Sequence, residues 1–176
     1  MCSVPLVVAV FTALQTPMYV VSCVQSVELK GLRLYMVKLE EGDRLPQALA
    51  GLASSLGADV VYVVGIGGLR KARIAVFDSV RTIYRYVDVQ PLEGHVLEVI
   101  ALSGNVVCGD GECKPHIHVA VARRPDEVYA GHLVEAVVSP FLELFALAGI
   151  TDKAKVMELF GARWRLRTSY EPLAEN

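Results

Sequence analysis

The chain has 176 residues, 53% of them hydrophobic and 20% charged, which fits one globular domain with a substantial core and leaves little room for a second. Its 17 basic and 19 acidic side chains give a formal charge of -2. That balance excludes bulk attraction to a nucleic-acid backbone, so DNA or RNA binding would need a local basic patch.

Residues 1–31 form an apolar extension. "VPLVVAVFTAL" and "MYVVSCVQSV" are divided by Gln15, Thr16 and Pro17, and neither is long enough to span a bilayer. A secretory leader would carry basic residues before its apolar run, yet the first basic residue is Lys30. The segments read as two strands or a loosely packed extension, and no membrane association is expected. The cysteines, Cys2, Cys23, Cys108 and Cys113, are too sparse for a disulfide framework and fit a reducing, cytoplasmic setting. Cys108 and Cys113 bracket the turn-rich "GDGE" and could bridge or bind a soft metal, but they read first as two thiols flanking a hairpin, since a structural zinc site would need two further ligands.

From residue 32 the pattern is regular. "LRLYMVKLE" alternates as a strand does. "DRLPQALAGLASSLGA" reads as a helix, with Asp43 as cap, Pro46 in the first turn and an apolar stripe of Leu45, Leu49, Leu52 and Leu56. "DVVYVVGI" is nearly continuous in apolar residues and reads as a central strand covered on both faces. The glycines that follow, Gly65, Gly67 and Gly68, lack the spacing of a phosphate loop and precede the strand-like "ARIAVFD", so a tight strand-to-strand turn is expected. "TIYRYVDV", "HVLEVIALSGNVV", "HIHVAVAR" and "HLVEAVVSPFLELFAL" are further strands, with turn signals at Pro91, Gly94, Gly104, Gly109, Gly111 and Pro125. "TDKAKVMELFG" is a second helix, capped by Thr151 or Asp152 and stopped by Gly161. Residues 32–150 thus form the main domain, completed by a C-terminal helix and strand over 151–176. The fold class is α+β: a mostly antiparallel sheet with one early and one late helix. The basic clusters "RKAR" (Arg70, Lys71, Arg73) and "RWRLR" (Arg163, Arg165, Arg167) read as solvated strand faces.

The chemistry concentrates in "CKPHIHVAVARRPDEVYAGHL". Strand side chains alternate faces, so His116 and His118 point the same way. His132 follows a turn centred on "RRPDE", and a hairpin there would bring all three imidazoles together. Three neutral nitrogens suit zinc or another borderline divalent ion, with a fourth position left for water or substrate. His95 stands alone and reads as an ordinary polar residue. Glu98 and Glu143 interrupt otherwise apolar strands and are candidate proton shuttles, while Glu135 and Asp126 read as solvent-facing.

Together, "GIGGLRKARIAVFD", "LEVIALSGNV" and "PHIHVAVARRPDEVYAGHLVEAVVSPFLE" resemble the PPC (plant and prokaryote conserved) domain family, stand-alone prokaryotic type, over Leu32 to Ile150. The resemblance implies a homotrimer, and a fold similar to that of acetolactate decarboxylase, a zinc enzyme with histidine ligands. It implies DNA binding as well, although the Arg-Gly-Arg-Pro hook of the plant proteins is absent. Carried over by position, His116, His118 and His132 are the family's histidines, and Glu98 and Glu143 match its acidic positions. Ala130 replaces the glycine usual before Gly-His-Leu, and Ala136 replaces a later one; both are small enough to keep the hairpin. Two functions follow: a trimeric DNA-binding or regulatory module with a metal site, or a zinc-dependent enzyme for a small anionic substrate. In the second, Glu98 or Glu143 would shuttle protons and Arg73 would orient a carboxylate.

Overall fold

The computed structural model describes residues 25–161. Most of the apolar extension, the "RWRLR" strand, Cys2 and Cys23 lie outside the described residues. The elements run β1 (Lys30–Glu40), β2 (Arg44–Leu45), α1 (Gln47–Ser55), β3 (Val60–Asp78), β4 (Ile83–Val89), β5 (Leu97–Gly109), β6 (Glu112–Arg124), β7 (Glu127–Ile150) and α2 (Lys153–Phe160). They form an antiparallel sheet ordered β1-β7-β6-β5-β3-β4, with β2 on β7 and β3 also paired to β7. The pairings β3 to β5, β5 to β6, β6 to β7 and β7 to β3 close a ring of four strands.

Alternation explains what fills the ring. On β3, Val61 and Val63 are buried while Tyr62 and Ile66 are exposed; on β5 and β6, Leu102, Ile117 and Val119 turn inward. α1 packs on β5 and β6 and adds Leu49 and Ala53 to the core. The expected central strand "DVVYVVGI" is therefore covered on one face only. Its outer face joins Leu34, Met36, Ile100 and Phe145 in an exposed apolar surface.

The glycine turn expected at Gly65, Gly67 and Gly68 is absent. β3 runs through all three, shifting register at Gly65/Gly67 against β5 and at Gly67/Leu69 against β7. The glycines serve close approach: a Cβ on Gly65 would lie 2.5 Å from the Glu143 carbonyl oxygen, and one on Gly67 the same distance from that of Phe141. They let one long strand bend and pair with β5 and both halves of β7. Gly104 is likewise inside β5, its missing Cβ making room for the His116 backbone.

α1 starts later than expected. Asp43 accepts the Glu40 N–H at 2.9 Å instead of capping the helix, Arg44 and Leu45 pair with Val137 and Ala136, and Pro46 is the N-cap. Strand pairing to β7 outcompetes helix extension there. α2 follows its sequence signal: Asp152 accepts from the backbone N–H groups of Ala154 and Lys155, and Gly161 ends the helix.

Cys108 and Cys113 are a disulfide rather than two thiols. They are registered partners at the end of the β5–β6 hairpin, so the fold itself brings them within bonding reach. Two charged residues expected on a solvated face are also buried. Lys71 is 7% and Glu135 is 4% exposed, and Glu135 accepts from Arg44 at 2.7 Å, which offsets the desolvation of its carboxylate. Asp126 is solvent-facing as expected.

Candidate metal centre

The β5–β6 hairpin sets the first two histidines. Asp110 and Gly111 have φ of 51° and 78°, the left-handed pair that a two-residue hairpin turn requires. Counting out from that turn, Ser103 faces His118 and Asn105 faces His116 across the strands. The β6–β7 hairpin supplies the third. Its turn is closed by Glu127, which accepts from Tyr129 Oη at 2.6 Å and from Arg123 at 3.2 Å, and by Arg124 at 3.1 Å from the same carboxylate. His118 and His132 are then directly opposed. Ala130 pairs with Ala120 in a stretch of continuous register that runs from His118 to Ala122, and Ala136 is fully buried, so both departures from glycine leave the hairpin intact.

The three imidazoles converge. Ring centroids are 5.3 Å apart for His116 and His118, 5.2 Å for His116 and His132, and 5.6 Å for His118 and His132. One ligand nitrogen from each can be chosen so that all lie within 4.8 Å of one another. His116 and His118 are exposed and His132 is half-buried, so an ion could enter from solvent. Burial pushes the His132 pKa down to about 4, reinforced by repulsion from His116 and His118. A neutral imidazole with its lone pair free is the state that binds a metal.

The donor set fits a borderline divalent ion: three nitrogens at one locus, with a solvent-side position left over. A further atom fits the same purpose. Asn105 Oδ1 is buried and has no hydrogen-bond partner, and Asn105 is the direct cross-strand neighbour of His116. Metal-bound histidines characteristically donate their second ring N–H to such an oxygen. When His116, His118 or His132 holds an ion, zinc would supply Lewis acidity and an acidified water at this point.

The other sequence candidates lie elsewhere. Glu98 is exposed on β5, registered against Gly68 and Ala122; five residues from Ser103, it is roughly 15 Å along the strand from the histidines. Glu143 is exposed and pairs with Lys38 and Ile66 on the far half of β7. Arg73 is near, two residues from the Ala75 that opposes His132, yet its guanidinium holds Asp88 through two contacts of 2.6 and 2.7 Å. That pairing keeps the Asp88 carboxyl below its ordinary range. His95 is in the loop before β5, outside the cluster.

Sequence reasoning missed Asn105, Tyr84 and Tyr86. Tyr84 stands 6.4 Å from His132 and 5.2 Å from Phe77 between ring centroids. No signal in "TIYRYVDV" indicates which strand it will meet. Asn105 had one, in the two-residue Asp110-Gly111 turn that fixes the β5–β6 register.

Comparison with known proteins agrees with this architecture. A metal-containing protein from Archaeoglobus fulgidus is 27% identical, with 75% of this chain and 89% of that one covered and a TM-score of 0.64. A plant- and prokaryote-conserved (PPC) protein from Pyrococcus horikoshii is also 27% identical, with 75% and 87% covered and a TM-score of 0.62. No curated protein sequence matches the chain. The model of the Plants and Prokaryotes Conserved (PCC) domain matches residues 26–149, and the chain belongs to that family.

Proposed function

We propose that the protein is a homotrimeric metal-binding module that holds one zinc or similar divalent ion on His116, His118 and His132, leaving one coordination position for a small ligand. The observation that carries this reading is the convergence of three ligand nitrogens within 4.8 Å. The metal content of the Archaeoglobus fulgidus relative supports it. Subunit association is supported by the outward apolar residues, among them Met36 at 84% and Leu34 at 68% exposed, a surface that a lone soluble chain rarely presents. The number three comes from the family resemblance. Metal analysis of untagged protein tests the reading, with light scattering for the subunit count. One ion per chain in the wild type, lost in both His116→Ala and His132→Ala, is the expected result; a wild type free of metal refutes it.

DNA binding has less support. The net charge is -2, and Arg73, Arg85, Arg123 and Arg124 each sit against a carboxylate. Retention on duplex DNA at low salt, falling with a log-log slope of roughly -0.9 per phosphate contact, would revive it. The enzymatic reading, a zinc-dependent reaction on a small anionic substrate, shares the three histidines, but among the described residues no carboxylate joins their group. Arg73 could orient an anion only by releasing Asp88. A cytoplasmic location belongs to this proposal only if the Cys108–Cys113 bridge forms there, which alkylation of thiols in freshly lysed cells reads directly.

A further inference from the structure

β6 and β7 pair only between the His118–His132 couple and the hairpin turn. On the other side of that couple, β7 passes to β2 and β3 while β6 stays on β5, so the ring of strands parts beside the histidines. The gap is a cavity of about 140 Å³, and His132 is part of its wall, with Tyr84, Tyr86, Pro115, Ile117 and Ala75. Among the described residues, none that lines it is Lys, Arg, Asp or Glu. A cavity of about 150 Å³ lined by apolar groups holds a benzene ring.

We propose that this cavity seats a small ligand that meets the ion through one donor group and lays a single six-membered ring, or an aliphatic body of that size, against Ile117 and Ala75. The inference rests on the metal reading above and adds the ligand class. Size sets the limit of one ring. Charge sets the rest: the donor group is neutralised by the ion, whereas a second carboxylate or a phosphate inside the cavity would be desolvated with no cation to meet it. The faces of Tyr84 and Tyr86 suit the edge of a ring, and both tyrosines are partly exposed, so they can move aside for entry.

The test loads the full chain with cobalt(II) and follows its visible absorption during titration with acetate, benzoate and isophthalate. Benzoate should bind at least about tenfold tighter than acetate, the effect of burying one ring, and isophthalate no tighter than acetate. Tyr84→Ala and Ala75→Leu should each shrink the benzoate advantage below about threefold while cobalt binding persists; two variants guard against misfolding of either. Equal affinities for acetate and benzoate in a cobalt-loaded wild type overturn the proposal and leave the metal reading standing, and tight isophthalate binding overturns its charge rule. Failure to bind cobalt sinks the metal reading instead. The cavity is then tested on the metal-free protein by adding phenol: shifts of the His132 and Tyr84 ring resonances support a ring-sized seat, and unmoved resonances overturn it.

Discussion

His118 on β6 and His132 on β7 are directly opposed strand partners with ring centroids 5.6 Å apart, so the two hairpins that flank β6 build the three-histidine cluster without help from any loop. Pairing of this kind preorganises the ligands. Zinc should therefore raise the melting temperature of the wild type, by about 2.7 kcal/mol of stabilisation at a free concentration 100 times the Kd. His132→Ala should show no such gain, and calorimetry with and without zinc checks this.

Acid should destabilise the metal-free protein in a defined window. The folded chain holds His132 neutral down to about pH 4, whereas in the unfolded chain it takes up a proton near pH 6.5. Between those values the unfolded state binds more protons at this residue, so the His132 contribution to stability is lost as the pH drops from about 6.5 to 4. Thermal melts from pH 7.5 to 4.5 should show this slope, reduced in His132→Gln.

Asn105→Ala removes the buried oxygen opposite His116. Zinc affinity should fall by roughly 10- to 100-fold, as for other partners of ligand imidazoles, while the melting temperature of the metal-free protein stays within a few degrees. Competition with a chromogenic chelator measures the first quantity. Unchanged affinity would mean that His116 takes its orientation from elsewhere.

Gly131 precedes His132, and a Cβ there would stand 2.5 Å from the Ala75 carbonyl oxygen and 3.0 Å from Ile74. Gly131→Val should push β7 off β3 at the site, lowering stability by about 2 kcal/mol or more and weakening metal binding. Denaturant unfolding and zinc titration read the two effects together.

The Arg44–Glu135 pair gives a contrast with Arg73–Asp88. Glu135 is 4% exposed, so Arg44→Ala removes a charge-assisted hydrogen bond of 2.7 Å from a buried carboxylate and should cost about 2 kcal/mol. The Asp88 side chain is 46% exposed, and Asp88→Asn should cost about 1 kcal/mol or less. Urea unfolding of the two variants orders them.

Much of this architecture could be read from residue order. Alternation identified β1, β4, β5 and β6, and the capping signal at Asp152 identified α2, because these features act over a few neighbouring residues. The histidine site was accessible for the same reason: His-x-His and a short hairpin fix geometry locally. What escaped depends on partners distant in sequence. Gly65, Gly67 and Gly68 look like a turn until Glu143 and Phe141 are known to cross them. Glu135 looks solvent-facing until Arg44, 91 residues away, covers it. The Asp110-Gly111 turn fixes the β5–β6 register locally, and with it the pairing of Cys108 with Cys113 and of Asn105 with His116.

The ring of strands also governs how the protein reaches this state. Its closure joins Val60 to Gly149, and β1 must find its register with Leu39 against Leu142. Pairs so far apart in the chain form only after a large loss of loop entropy, and topologies dominated by them fold in milliseconds to seconds, not microseconds. While β7 is still unplaced, β3 and β1 present open edges and the apolar row that includes Met36. Folding of this chain is therefore the stage at which it is most exposed to aggregation, and zinc captured early by the β6–β7 hairpin would shorten it.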